Sequence, residues 1–169
     1  MVDKLKSEEE RQFSAWLFEA LQHSLISDVK YEPKSYVLSD RASMLVKKEL
    51  KTKTKIVDRF LLHPHEYTPD FEFVIHHIPL LTFFIKIDGI ERVVVDTKGA
   101  FNLHGGDRNF SINRKWMFSK HGIYVNKIVP KKLFKGTWVP MSYRSTKSTK
   151  KPAAIAKGCK TIKEYLEGR

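Results

Sequence analysis

Three consecutive valines, Val93-Val94-Val95, followed by Asp96-Thr97-Lys98-Gly99, constrain the fold of this chain more than any other stretch. An uninterrupted β-branched run has no polar face, so it belongs to a central strand buried on both sides. Helical patterns lie before and after it. Over residues 7–26, Phe13, Trp16, Leu17, Ala20, Leu21 and Leu25 recur at helical spacing, and Ser7-x-x-Glu10 is a capping-box pattern. A second helix is expected over about 109–120, with Gly122 as its C-cap. Ile123–Val129 reads as a last core strand, closed by Pro130. The expected class is α/β: a mixed sheet flanked by helices, in the order helix, antiparallel strands, helix, strand, with a right-handed crossover after Asp96.

Between the first helix and the valines the pattern is extended. Residues 31–38 and 52–62 read as extended, joined by a polar segment with Lys47, Lys48 and Lys51, and His63-Pro64-His65-Glu66 breaks the pattern. Residues 70–77, 81–87 and 90–96 have strand character, with Asp88-Gly89 as a hairpin signal between the last two. A glycine-containing loop through Gly105 and Gly106 follows Lys98-Gly99. From about 142 the chain is rich in Ser, Thr and Lys without an apolar period. The expected division is a domain over 1–141 and a basic C-terminal arm over 142–169, with a short helix near 161–167 capped by Thr161.

Charge narrows the partner. The 169 residues hold 31 Lys and Arg against 19 Asp and Glu, a net charge of +12. Residues 1–100 carry 15 basic and 16 acidic groups, whereas 101–169 carry 16 basic and 3 acidic. So one-sided a polycation suits a polyanion, most often nucleic acid. The apolar stretch near 78–85 is too short to span a bilayer, and Met1-Val2-Asp3-Lys4 lacks the apolar core of a signal peptide. The single cysteine, Cys159, excludes an intrachain disulfide framework, and the expected setting is a reducing cytoplasm.

The chemistry concentrates at two strand ends. Tyr67-Thr68-Pro69-Asp70-Phe71 puts an aspartate at the mouth of one strand, and Asp96-Thr97-Lys98 ends another. Residues i and i+2 of a strand share a face, so Asp96 and Lys98 project together. Two close carboxylates resist joint ionisation, and a hard divalent cation such as Mg²⁺ or Mn²⁺ removes that difficulty. A lysine beside them can orient or deprotonate water, or stabilise charge on a phosphate. Asp-x-Lys alone is common and is also compatible with a strand ended by ordinary polar residues.

The whole arrangement resembles the PD-(D/E)XK nuclease superfamily: a Glu on an early helix, Pro-Asp at a strand start, Asp-x-Lys-Gly after a Val-rich strand, then helix and strand. Within it the chain looks most like small phage-encoded endonucleases, over roughly residues 7–140. The resemblance implies a restriction-endonuclease-like core and a metal-dependent DNA endonuclease. It implies Asp70, Asp96 and the Thr97 carbonyl as ligands of Mg²⁺ or Mn²⁺, Lys98 as the catalytic lysine, and Glu10 as the acid contributed by the first helix. Spacing alone makes Glu10 a cap. The second acid is Asp96 where Glu is commoner, which shifts the metal position. A phage-encoded protein of this kind would work in the host bacterial cytoplasm, among other DNA-processing proteins.

DNA-contacting candidates follow from charge: Arg108, Arg114 and Lys115 on the second helix, Lys131, Lys132 and Lys135 after the last strand, and Arg144, Lys150 and Lys151 in the arm. A solvated basic face explains any one of them equally well. Trp116, Trp138, Tyr124 and Phe134 are candidates for base stacking or for core. His63, His65 and Glu66, and the pair His76-His77, are ligand types without an evident third or fourth partner for zinc. A junction-resolving enzyme would be a homodimer, since two symmetric cuts need two sites. A nicking or end-processing nuclease and a non-catalytic DNA-binding module are the other readings. One geometric condition is sharp. A simple meander of 70–77, 81–87 and 90–96 would part Asp70 from Asp96 by roughly 20 Å. The nuclease reading instead requires 90–96 to pair directly with 70–77, with 78–88 as an excursion.

Overall fold

The computed structural model describes residues 5–86, 92–99, 106–145 and 153–168. The Asp88-Gly89 turn, the loop at Gly105, Lys150 and Lys151 lie outside them. Helix α1 spans Glu8–Gln22, and the Ser7 hydroxyl caps it by accepting from the Glu10 amide at 3.1 Å. The apolar spacing does its work there: Phe13, Trp16, Leu17 and Ala20 are all buried. β1 (Ile26–Tyr31), β6 (Phe71–Ile75), β7 (Arg92–Thr97) and β8 (Val125–Ile128) form one sheet in the order β1-β6-β7-β8. The first two junctions are antiparallel and β7–β8 is parallel, with α2 (Gly106–His121) between those last strands. The sheet is therefore mixed and flanked by helices, as the sequence predicts.

The three valines explain the layering. Val93, Val94 and Val95 are each fully buried, and alternate side chains serve different cores. Val93 and Val95 pack with Phe71, Phe73 and the apolar face of α1. Val94 packs on the other side with Val125, Phe110 and Met117 of α2. The helix α3 (Pro130–Gly136), with Pro130 at its first position, adds Leu133 and Phe134 to the α1 side. Gly122 ends α2 at φ +67°, the left-handed conformation expected of a C-cap glycine.

Two expectations are corrected. Residues 81–86 are not a strand: Ile78–Phe83 is a 3₁₀ helix. Pro79 lacks a ladder donor but is tolerated in a first turn, and Leu80 drops fully into the core. Residues 40–51 are not a simple polar connection. β2 (Tyr36–Ser39), β3 (Ala42–Leu50), β4 (Lys53–Leu62) and β5 (His65–Tyr67) form one long hairpin interrupted around Asp40-Arg41 and His63-Pro64, with Lys47 and Lys48 inside a strand. The C-terminal segment, expected as a basic arm, packs on the core over its described residues. Ala156 and Ile162 join the α1-side core, the Val139 amide donates to the Lys160 carbonyl at 3.0 Å, and Tyr165 lies against Trp138. The predicted short helix is α4 (Ile162–Leu166), closed by a Thr161–Glu164 capping box. No helix among the described residues is long and apolar enough to cross a membrane.

Candidate active site

The geometric condition is met. β6 and β7 pair antiparallel with Phe71 opposite Val95, so one further step along the register sets Asp70 across from Asp96. After β6 the chain leaves the sheet at Ile78–Phe83 as a 3₁₀ excursion. The backbone then ties the pair down. Asp70 Oδ2 accepts from the Thr97 amide and the Thr97 hydroxyl, both at 2.7 Å, and the Asp70 carbonyl accepts from the Glu32 amide at 2.8 Å. Lys98 Nζ is ion-paired with Asp96 Oδ1, as the i, i+2 relation predicts. Tyr67 donates its hydroxyl to Asp96 Oδ2 at 2.5 Å.

Electrostatics follow from this crowding. Burial, and then the negative charge of Asp96, push the Asp70 carboxyl up from the usual carboxylate value to about 6. Its bonds from Thr97 and the nearby Lys98 pull the other way without cancelling that rise. Tyr67 is held well above the ordinary phenol range by burial and by Asp96, so it stays a neutral donor. The donors suit a hard cation: two carboxylates meet at the end of adjacent strands, and burial together with their mutual repulsion raises Asp70, a charge conflict that a divalent cation relieves. Among the described residues no group of three or more His, Cys, Asp or Glu side chains converges.

Glu10 stands beside this pair rather than in it. Its carboxylate accepts from the Lys6 amide at 2.8 Å, from the Tyr31 hydroxyl at 2.9 Å and from the Ser7 hydroxyl at 3.1 Å. Tyr31 pairs in register with Phe71, the neighbour of Asp70, and its own acidity is suppressed by burial and by Glu10. Tyr31 therefore lies between the helix acid and the strand acids. Sequence reasoning assigned no role to Tyr31 or Tyr67. Tyr67 lay inside the Tyr-Thr-Pro-Asp-Phe stretch, and its place two residues before a proline was the only signal available.

Helix α2 borders the site. Phe110 receives Lys98 Nζ at 5.7 Å from its ring centre and the Arg114 guanidinium at 5.4 Å. Arg114 also donates to the Tyr124 hydroxyl at 3.2 Å, which occupies both the arginine and the tyrosine. Arg108, Lys115 and Trp116 are exposed on α2, while Trp138 and Phe134 are core residues. Lys131, Lys132 and Lys135 are exposed on α3, in the α1 layer and away from α2. Arg144 is half-buried, its carbonyl accepting from the Ala153 amide at 2.9 Å. The histidines do not cluster. His65 bonds Asn113 at 2.9 Å, His63 lies on Phe60, His76 bonds Ser27 at 2.7 Å, and His77 meets Tyr165 edge-on. No family model matches the chain, and neither does any curated protein or solved structure.

Proposed function

We propose that the protein is a metal-dependent DNA endonuclease with a restriction-endonuclease-like core, hydrolysing phosphodiester bonds at the Asp70–Asp96–Lys98 cluster. The observation that carries this reading is the direct antiparallel pairing of β6 with β7, which sets Asp70 across from Asp96 with Lys98 beside it. Asp70, Asp96 and the Thr97 carbonyl would hold Mg²⁺ or Mn²⁺. Such an ion, when bound, supplies water activation and neutralises charge growing on the phosphate. Thr97 fixes the orientation of Asp70 through two hydrogen bonds, and Tyr67 orients Asp96 through one. Lys98 carries an ammonium to the mouth of the site, where it can hydrogen-bond a phosphoryl oxygen or orient the attacking water; taking a proton from that water would require its neutral amine form.

A non-catalytic DNA-binding module is the second reading. It is favoured by one observation: both oxygens of Asp96 are already engaged, one by Lys98 and one by Tyr67. Incubation with plasmid, linear duplex, single-stranded and four-way-junction DNA, in Mg²⁺, Mn²⁺ or EDTA, separates the two. Cleavage that needs metal and disappears in Asp96→Ala is the expected result. Activity that survives EDTA and the substitution refutes the mechanism, and retention without cleavage in any metal favours the binding module.

A further inference from the structure

The β3–β4 ribbon is the least explained part of the molecule. It runs for nine residues in β3 and ten in β4, and its contacts are almost wholly within itself. Nearly every side chain is exposed, with Val46 and Val57 paired and half-buried near the middle. A bare two-stranded hairpin is marginal in water.

The register sorts its side chains into two unlike faces. Alternation places Met44, Val46, Lys48 and Leu50 on one side, and their cross-strand partners Arg59, Val57, Lys55 and Lys53 join them there. That face holds four cations and no carboxylate. The opposite face holds Lys47, Glu49 and Asp58 among Leu45, Ile56 and Phe60, so it is close to neutral. Lys48 and Lys55 stand directly opposite one another, a like-charge pair that destabilises an isolated ribbon. Repulsion of this kind is relieved by a polyanion lying along the face.

The root of the ribbon points to the same partner. β5 continues β4 toward Tyr67, whose hydroxyl holds Asp96. The hairpin base is locked on α2 by the bond of His65 to Asn113, the edge contact of His65 with Trp116, and the bond of His121 to the Val37 carbonyl at 3.2 Å. The ribbon therefore stands out from the two elements that border the acidic pair. Nine residues extend roughly 30 Å, close to one turn of duplex, and the major groove of about 12 Å admits a two-stranded ribbon.

We infer that the Lys48-Lys53-Lys55-Arg59 face of the β3–β4 ribbon is a docking arm for duplex DNA, laid along its phosphates. This rests on the reading of DNA as the partner, but not on catalysis. The test is duplex binding by fluorescence anisotropy in EDTA, over a series of salt concentrations, with the full chain carrying Asp96→Ala so that no strand is cut. Adding Lys48→Ala, Lys53→Ala and Lys55→Ala together is expected to weaken binding about tenfold or more. It should also reduce the slope of log affinity against log salt by about 2–3, since each lost phosphate contact removes about 0.9. The triple arginine variant at the same positions should retain both, and Lys47→Ala on the other face should change neither slope nor affinity by as much. An unchanged slope and affinity in the triple alanine variant overturns the proposal. So does a weakened triple arginine variant that melts like the parent. A third overturning result is a change of oligomeric state by sedimentation with no change of slope, which would make a second copy of the chain the occupant. If no DNA is cut in any metal while the slope shifts as stated, the nuclease reading fails and the arm stands; if DNA is cut and the slope does not move, the reverse holds.

Discussion

Asp70 is where the folding of the chain and its proposed chemistry conflict most. Its folded carboxyl titrates near 6, above the ordinary value of 3.8, because it is buried beside Asp96. A carboxyl raised in this way binds more protons folded than unfolded between those values. Its contribution to stability is therefore present at low pH and lost as pH rises from about 3.8 through about 6. In EDTA, Asp70→Asn should stabilise the protein at pH 7.5 by about 1–3 kcal/mol, with no comparable gain at pH 4. Thermal melts at the two pH values check this, and equal shifts at both would show that the carboxylate is not the strained group. Tyr67 and Thr97 reveal the same site from its other side: each spends its side chain on orienting one aspartate. Lys98 and Asp96 were legible together because two residues along a strand share a face. Glu10 was legible only as two alternatives, and the structure gives it the cap of α1 and a link through Tyr31 at once.

At the scale of elements, periodicity was readable in most elements with a buried face; β1, whose Ile26, Val29 and Tyr31 pack on the core, was not expected, since the helix pattern was read through 26. α1, α2, β6, β7 and β8 all have such a face, and each lies close to its expected span. β4 matches the expected extended stretch at 52–62, whereas β3 is exposed along nearly its whole length, so no apolar alternation marked it, and Lys47, Lys48 and Glu49 read as a polar connection. The 81–87 segment failed for the opposite reason. Its apolar residues suit a strand, but Pro79 and the burial of Leu80 favour a tight turn over a fifth strand in the sheet. That turn is gripped by α3. A β-carbon placed on Gly136 would run into the ring of Phe83, which packs against it. Gly136→Ala should therefore destabilise the protein by about 1–3 kcal/mol, seen as a lower urea midpoint with an unchanged slope. A change below about 0.5 kcal/mol would mean that the Phe83 ring simply swings aside.

The whole molecule reassigns its positive charge. Averaged along the chain, residues 1–100 look neutral, yet four cations gather on one face of the ribbon because pairing puts Lys53, Lys55 and Arg59 beside Lys48. The C-terminal region is expected from sequence as a basic arm with a short helix. Its described part closes the core, where Trp138 stacks on Trp16 at 4.7 Å and meets the tilted ring of Tyr165 at 5.2 Å. Ending the chain after residue 141 should then lower stability by about 2–4 kcal/mol, through loss of Ala156 and Ile162 and exposure of Trp138. A melting temperature unchanged by that truncation would mean that the segment only rests on the surface.

The sequence by itself determined the local terms: the capping of α1, the doubly buried valine strand, the glycine stop after α2, and the adjacency of Asp96 and Lys98. Each depends on residues a few positions apart, and backbone geometry relates such residues without reference to the rest of the chain. Only the tertiary structure decided which strand lies beside β7, and therefore whether Asp70 reaches Asp96. Strand partners are chosen by packing among distant residues, with the excursion at 78–83 making room for the direct pairing. The same holds for the cationic ribbon face, since a cross-strand register is a relation between residues that the chain separates.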